Sequence, residues 1–327
     1  MIGTRSQRGT RGWWFTGLRW AAALLVIGVL LHFLPMGPLW DAIARVPVSR
    51  FIAVLLGYLL AHCVGVLKWR MVVNAAGAEL DFATSAQCYF GGLFGTLFLP
   101  SIVGGDVVRL AVGLQRSPRP AAVLTGNLVD RFLDVMAQAG LVVLGLALLP
   151  DSDLVPERLE DTLEHGFLEI GLGLTVLMVS LFFLRRRILR GRSVRFRRRL
   201  ARLRHALRSV SQRPSVLVLG WVMGTGIQTT FLLLTAQLAV YCGLRLPRRA
   251  WLFAWPLAKL AAVLPLTQGG IGVREAALVA LLAPLGAPGS LVLAAGLVWE
   301  GVVIAGGLIA GAVALVLRRQ AGGTGVS

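Results

Sequence analysis

LPSIVGGDVVR (residues 99–109) and LPLTQGGIGVR (residues 264–274) decide how this chain is read. Each runs Leu-Pro, three residues, Gly-Gly, three residues, Arg, and the second follows the first by 165 residues. Both interrupt apolar sequence. Proline ends an incoming helix by removing a donor, and Gly-Gly admits positive φ and close backbone approach. Backbone groups left unpaired in lipid are costly, so a break at membrane depth must face protein or a wet cavity. The next helix starts with free N–H groups, an anion site that a following arginine strengthens.

The composition places these breaks in a membrane. The 327 residues are 56% hydrophobic and 15% charged, with a mean hydropathy of +0.76. Several apolar runs approach the ~20 residues needed to cross ~30 Å of hydrocarbon. No run of ~10-residue alternating segments points to a β-barrel. The fold class read from this is an all-α polytopic membrane protein, with six to eight transmembrane helices and two re-entrant, Gly/Pro-broken segments. The net charge of +18 reflects clustering, since 13 of the 33 basic residues lie between Arg185 and Arg213. Beside an apolar span that is a positive-inside and anionic-lipid signal, so no nucleic-acid partner is expected. Cys63, Cys88 and Cys242 have no paired spacing and the four histidines are scattered, so no disulfide, metal or other cofactor is expected.

The domain reading follows charge along the chain. Residues 1–19 form a basic cytoplasmic N-terminus carrying Arg5, Arg8, Arg11 and Arg19, and residues 20–34 a retained first span. Residues 20–318 are one membrane domain, and 319–327 a cytoplasmic tail. A span at 51–67 ends at Lys68-Trp69-Arg70, and 84–99 is short and glycine-rich. Residues 121–149 lead to an acidic outer segment at 151–165, and 166–184 returns to a cytoplasmic basic linker at 185–213. In the linker, Leu200, Leu203 and Leu207 give one face of an amphipathic helix lying on the inner leaflet. Residues 215–243 cross outward, 250–266 and 275–287 are short, and 290–317 cross inward. A full span at 250–266 would remove Arg245, Arg248 and Arg249 from the outer face, and would require 275–287 to span as well. The chain is thus multi-pass, with both termini cytoplasmic.

The 165-residue shift superposes more than the breaks. It places 51–67 on 216–232, 84–99 on 249–264 and 121–149 on 286–314, giving repeat units at about 51–149 and 216–314 with opposite orientation. Inverted repeats with short, interrupted segments at matching positions mark alternating-access transporters. Ionisable residues at membrane depth are costly and point to function. Asp106 and Arg109 follow the first break, and Arg274 and Glu275 the second. Asn127, Asp130, Arg131, Asp134 and Gln138 lie in 121–149, with Asp130, Asp134 and Gln138 on one helical face. That face lines a cavity or pairs with Arg109 or Arg274. Glu300 is expected to pair with Lys259.

LPSIVGGDVVR, NLVDRFLD (127–134) and PLTQGGIGVREAAL (265–278) together resemble the lysylphosphatidylglycerol synthase transmembrane-region family, over roughly residues 15–318. The resemblance implies a flippase-like bundle with re-entrant helices that handles anionic or aminoacylated phospholipid, or a polyprenyl-phosphate-linked glycan. The family's motif positions fall on Pro100, Gly104, Gly105, Asp106, Arg109, Asp130, Arg131, Asp134, Gly269, Gly270, Gly272, Arg274 and Glu275. Members that synthesise aminoacyl-lipid carry a soluble catalytic domain after the membrane part, and this chain ends at Ser327, so that activity is not expected. Stand-alone members accompany glycosyltransferases or other lipid-synthesis enzymes, which are the partners implied beside anionic membrane lipids.

The leading expectation is a lipid translocase, not an enzyme. Arg109 and Arg274 hold the headgroup anion. Asp106, Asp130, Asp134 and Glu275 pair with them when empty or bind a cationic group. The glycines supply N–H donors, and Pro100 and Pro265 break the helices. No phosphate-binding loop of the nucleotide-hydrolase type is present. The rivals are a lipid-linked transferase using Asp106 or Glu275 as base, and a scaffold recruiting an enzyme through Arg185–Arg213. The sequence leaves the oligomeric state open.

Overall fold

The computed structural model describes residues 36–99, 104–148, 194–262 and 270–323, together with Gly28 and Thr267. The expected first span at 20–34, Pro100, Pro265, Gly269, the acidic segment 151–165, the span 166–184 and the start of the basic run lie outside the described residues.

The described chain is helical, with no strand among the described residues. Its order is α1 (Met36–Ala44), α2 (Val48–Ala75), α3 (Phe82–Gly95), α4 (Gly104–Arg116), α5 (Pro120–Ala147), α6 (Val194–Ser211), α7 (Pro214–Tyr241), α8 (Arg248–Ala261), α9 (Val273–Leu282), a 3₁₀ turn at Ala283–Leu285, and α10 (Gly289–Gly323). α2, α7 and α10 are each long and apolar enough to cross a membrane. α5 matches α2 and α7 at 28 residues, with Asp130, Arg131 and Asp134 near its middle. α3 and α8 have 14 residues each, about 21 Å at 1.5 Å per residue, too short for ~30 Å of hydrocarbon.

Local chemistry sets the ends. Pro120 and Pro214 open α5 and α7 at the first helical turn, where a missing N–H costs nothing. Asp81 caps α3 by accepting from the Thr84 N–H at 3.4 Å. That hydrogen bond holds its carboxyl below the ordinary range.

The internal repeat is built into the helices. α2 and α7 are equal in length, as are α3 and α8, and both pairs begin within one residue of the 165-residue shift. The packing exchanges under it. α2 lies against α7, while α3 packs on α10 and α8 packs on α5, so each short helix rests on the long helix of the other unit. Small residues permit this. A Cβ on Gly145 of α5 would come within 2.6 Å of the Phe253 backbone nitrogen in α8, and one on Gly311 of α10 within 2.5 Å of the Phe94 ring in α3. Such contacts are the close approach that drives helix association in lipid.

One expectation needs correction. The second helix does not end at Lys68-Trp69-Arg70. No glycine or proline follows Arg70 until Gly77, so α2 continues to Ala75 and buries Lys68 and Trp69 at 2% and 0% exposure. The described part of the basic run forms the helix α6, as its leucine spacing suggested. Ala206 and Val210 are buried on the bundle and Leu207 is exposed, while α6 packs against α5 and α7. A helix docked on protein buries its small residues, leaving Arg202, Arg204 and Arg208 outside.

Gly145→Val forces its side chain against the α8 backbone, which has little room to yield. It should destabilise the protein by about 1–3 kcal/mol, read as a lowered midpoint of thermal unfolding in detergent. Gly226→Ala on α7, where an added Cβ meets nothing within 4 Å, should leave stability unchanged or raise it by up to about 1 kcal/mol.

Candidate functional site

The charges at membrane depth fall into two clusters. The first joins α2, α4 and α5. Asp106 and Arg109 stand one turn apart on α4, because GGDVVR opens that helix at Gly104. Asp130 and Asp134 share a face of α5, as the four-residue spacing requires. Lys68 enters from α2, 2.9 Å from Asp130 Oδ1, and donates to Asp134 Oδ1 at 2.5 Å. Arg131 donates to Asp106 Oδ1 at 2.6 Å and lies 3.6 Å from Asp134. Arg109 lies 3.6 Å from Asp106 and 3.8 Å from Asp130. Its guanidinium sits 4.2 Å from the centre of the Tyr89 ring, a cation–π contact. Trp69 Nε1 donates to Asn127 Oδ1 at 3.0 Å. Three cations meet three carboxylates, so the cluster is electroneutral.

The second cluster joins α8, α9 and α10. Arg274 donates to Glu275 Oε1 through Nε at 3.0 Å and Nη2 at 2.6 Å, and to Glu300 Oε2 at 2.6 Å. Glu275 Oε2 accepts from the Gly272 N–H at 2.7 Å. Gly296 of α10 makes room for Glu275, whose Cγ would be 2.8 Å from an added Cβ. Lys259 donates to Gln228 Oε1 of α7 at 2.7 Å and stands 5.1 Å over the Phe231 ring. It has no carboxylate partner among the described residues.

A cavity of about 320 Å³ adjoins this second cluster. Lys259, Arg274 and Glu300 line its charged end. Tyr58, Phe231, Trp255 and Trp299 form an aromatic wall, with Trp299 nearly perpendicular to Tyr58 and to Trp255 at 82° and 87°. Arg274 lies 5.8 Å over Trp255. Thr96, Leu97 and Phe98 arrive from the first break, and Ile271 from the second. His62 also lines the cavity, and its Nδ1 lies 3.2 Å from Tyr89 Oη, whose ring backs Arg109. Residues flanking both breaks therefore line one cavity.

Several expectations change here. Arg109 and Arg274 are not brought together, because Arg109 belongs to the first cluster and does not line the cavity. Glu300 pairs with Arg274, and Lys259 with Gln228, so the expected Lys259–Glu300 pair does not form. At the start of the helix after the second break, the Gly272 N–H is taken by Glu275 Oε2. Gly104 and Gly105 do not adopt positive φ. They lie in the first turn of α4, where a Cβ on Gly105 would meet the Gly92 carbonyl oxygen at 2.5 Å, so they serve close packing. Gly270 and Gly272 do take positive φ, at 80° and 84°, a conformation suited to glycine. Gln138 is buried as expected, with Oε1 lacking a hydrogen-bond partner.

Lys68, His62, Gln228 and the aromatic wall were not singled out as site residues. Their signals were faint: a lysine in an unbroken helical run, one of two glutamines in an apolar span, and Trp255 one helical turn before Lys259. Among the described residues no group of three or more His, Cys, Asp or Glu side chains could hold a metal ion.

The profile described as the lysylphosphatidylglycerol synthase TM region matches residues 18–311. The chain belongs to this family. No curated protein and no protein of solved structure matches it. Membership makes the chain a multi-pass membrane protein related to lipid or cell-envelope synthesis. Within that family frame, residues 100–109, 127–134 and 265–278 supply most of the charged machinery just described, with Lys68, Lys259 and Glu300 added from outside them.

Removing one member of the first cluster leaves the others uncompensated, which costs about 3–5 kcal/mol for a buried pair. Lys68→Met should lower the unfolding midpoint strongly. The charge-balanced Lys68→Met/Asp134→Asn variant should recover most of the loss in the same thermal melt.

Proposed function

We propose that this protein is a lipid translocase of a bacterial-type cytoplasmic membrane, moving a lipid whose headgroup carries a phosphate. One observation carries the reading. Among the described residues Lys259 faces the cavity with the neutral Gln228 as its one hydrogen-bond partner and no carboxylate, next to Arg274. A cation at membrane depth without a carboxylate costs about 2.5–3.5 kcal/mol on insertion scales. An incoming anion removes that cost, and Lys259 with Arg274 provides two positive groups for it. The faces of Phe231 and Trp255 already carry Lys259 and Arg274, which favours an anionic headgroup over a cationic one.

The rest of the architecture supports transport. α3 and α8 are too short to cross and pack on the long helices of opposite units, the arrangement of two re-entrant segments in an inverted repeat. Glu300 holds Arg274 in the empty site and releases it when a phosphate takes its place. The first cluster, closed by its own ion pairs, is a fixed pivot on which the cavity side moves. Phosphatidylglycerol, its aminoacylated form and a polyprenyl-phosphate sugar share the required phosphate, and the assay distinguishes them.

The test is translocation by purified protein in liposomes. Fluorescent phosphatidylglycerol, lysyl-phosphatidylglycerol, a polyprenyl-phosphate sugar and phosphatidylcholine are compared. At least one of the first three classes should move well above protein-free vesicles and above phosphatidylcholine, whose choline cation offsets its own phosphate. Lys259→Gln and Arg274→Gln should each lower that rate at least tenfold while keeping the wild-type elution profile. Arg119→Gln, in an exposed pair with Glu79, should not change it. Equal rates in wild type and both cavity variants would overturn the reading.

A further inference from the structure

The cavity has two unlike ends. Lys259, Arg274 and Glu300 make one polar. At the other, Leu97 and Phe98 from the end of the first half-helix face Ile304 and Leu308 of α10. Phe98, Ile304 and Leu308 are 56%, 42% and 53% exposed on the outside of the bundle, so this apolar end reaches the surface that hydrocarbon would bathe.

The join between the two sides is made by apolar packing alone among the described residues. Phe94 and Leu97 lie over Gly311 and Gly307 of α10, and a Cβ on Gly307 would come within 2.9–3.1 Å of the Leu97 side chain. Among the described residues no hydrogen bond or ion pair crosses this seam; the Thr96 hydroxyl donates to the Leu93 carbonyl of its own helix instead. Only dispersion holds the surfaces together, and in lipid a hydrocarbon chain replaces such contacts at little cost.

We propose that the seam between residues 96–98 and the Val303–Leu308 stretch of α10 is a lateral portal, through which the hydrocarbon chain of the bound lipid extends into the bilayer while its phosphate rests at Lys259 and Arg274. This inference rests on the anion site of the proposed function and adds the route. The lipid enters sideways, its chain stays in hydrocarbon, and a water-soluble anion with the same headgroup gains nothing from the apolar end. Leu97 leaves the Gly307 notch as the portal opens.

A reversible staple tests this. Leu97→Cys/Gly307→Cys, in a Cys63→Ser background, shortens the side chain that would meet the new Cβ and brings two thiols within disulfide reach. Reduced, the variant should translocate phosphatidylglycerol within about twofold of wild type. Oxidised, it should lose at least tenfold, with full recovery on reduction. A verified disulfide with undiminished rate would overturn the portal. If the reduced variant is misfolded, the wild-type protein carries the test. Phosphatidylglycerol bearing a diazirine on its acyl chain should label Phe98, Ile304 and Leu308 above the exposed α2 residues Leu56 and Leu60, and this excess should vanish in Lys259→Gln/Arg274→Gln. Equal labelling of seam and α2 overturns the proposal. Transport lost in the cavity variants but not in the oxidised pair would remove the portal and leave the anion site. Transport unaffected in both would remove the two together.

Discussion

A charge in hydrocarbon must find a partner, and this constraint organises the bundle. Lys68, Asp106, Arg109, Asp130, Arg131 and Asp134 satisfy it by closing on one another. Arg274, Glu275 and Glu300 satisfy it beside the cavity. Glycines then let backbones approach closely enough for the pairs to form: Gly224 of α7 leaves room for the Lys68–Asp134 pair, and Gly296 for Glu275.

The two repeats turn one motif to different ends. At the 165-residue shift Arg109 corresponds to Arg274, but Lys68 corresponds to Leu233, Asp130 to Ala295 and Asp134 to Trp299. Where the first unit places ion-pairing side chains, the second places an alanine and an aromatic ring. The first unit therefore fills its interior with salt bridges, and the second keeps a cavity with aromatic walls. The residue after the arginine adds to the difference. Glu275 binds both Arg274 and the Gly272 N–H, whereas Leu110 has no such capacity.

The backbone architecture was largely legible in the sequence. Hydropathy, Leu-Pro punctuation and the repeat give the all-α membrane class, the helix order and the short elements, because those depend on patterns along the chain. The Asp130–Asp134 face was legible for the same reason. Partner choice was not. Nothing local distinguishes Lys259–Glu300 from Arg274–Glu300, since the pairing depends on how α8, α9 and α10 meet. Lys68 was taken for the end of a helix because a lysine beside Trp69 and Arg70 resembles a membrane boundary, while its burial is fixed by α5 and α7. The glycines of the two breaks were indistinguishable as strings, although Gly104 and Gly105 pack helices while Gly270 and Gly272 turn the chain.

The central claim is that Lys259 and Arg274 hold a lipid phosphate in a cavity shared by both repeats. Lipid retention measured by native mass spectrometry tests it most directly, with purified protein exchanged into mixed phosphatidylglycerol–phosphatidylcholine micelles. Wild type should retain phosphatidylglycerol preferentially, and the Lys259→Gln/Arg274→Gln protein should lose that preference while retaining phosphatidylcholine as before. Identical lipid profiles for the two proteins would contradict the account.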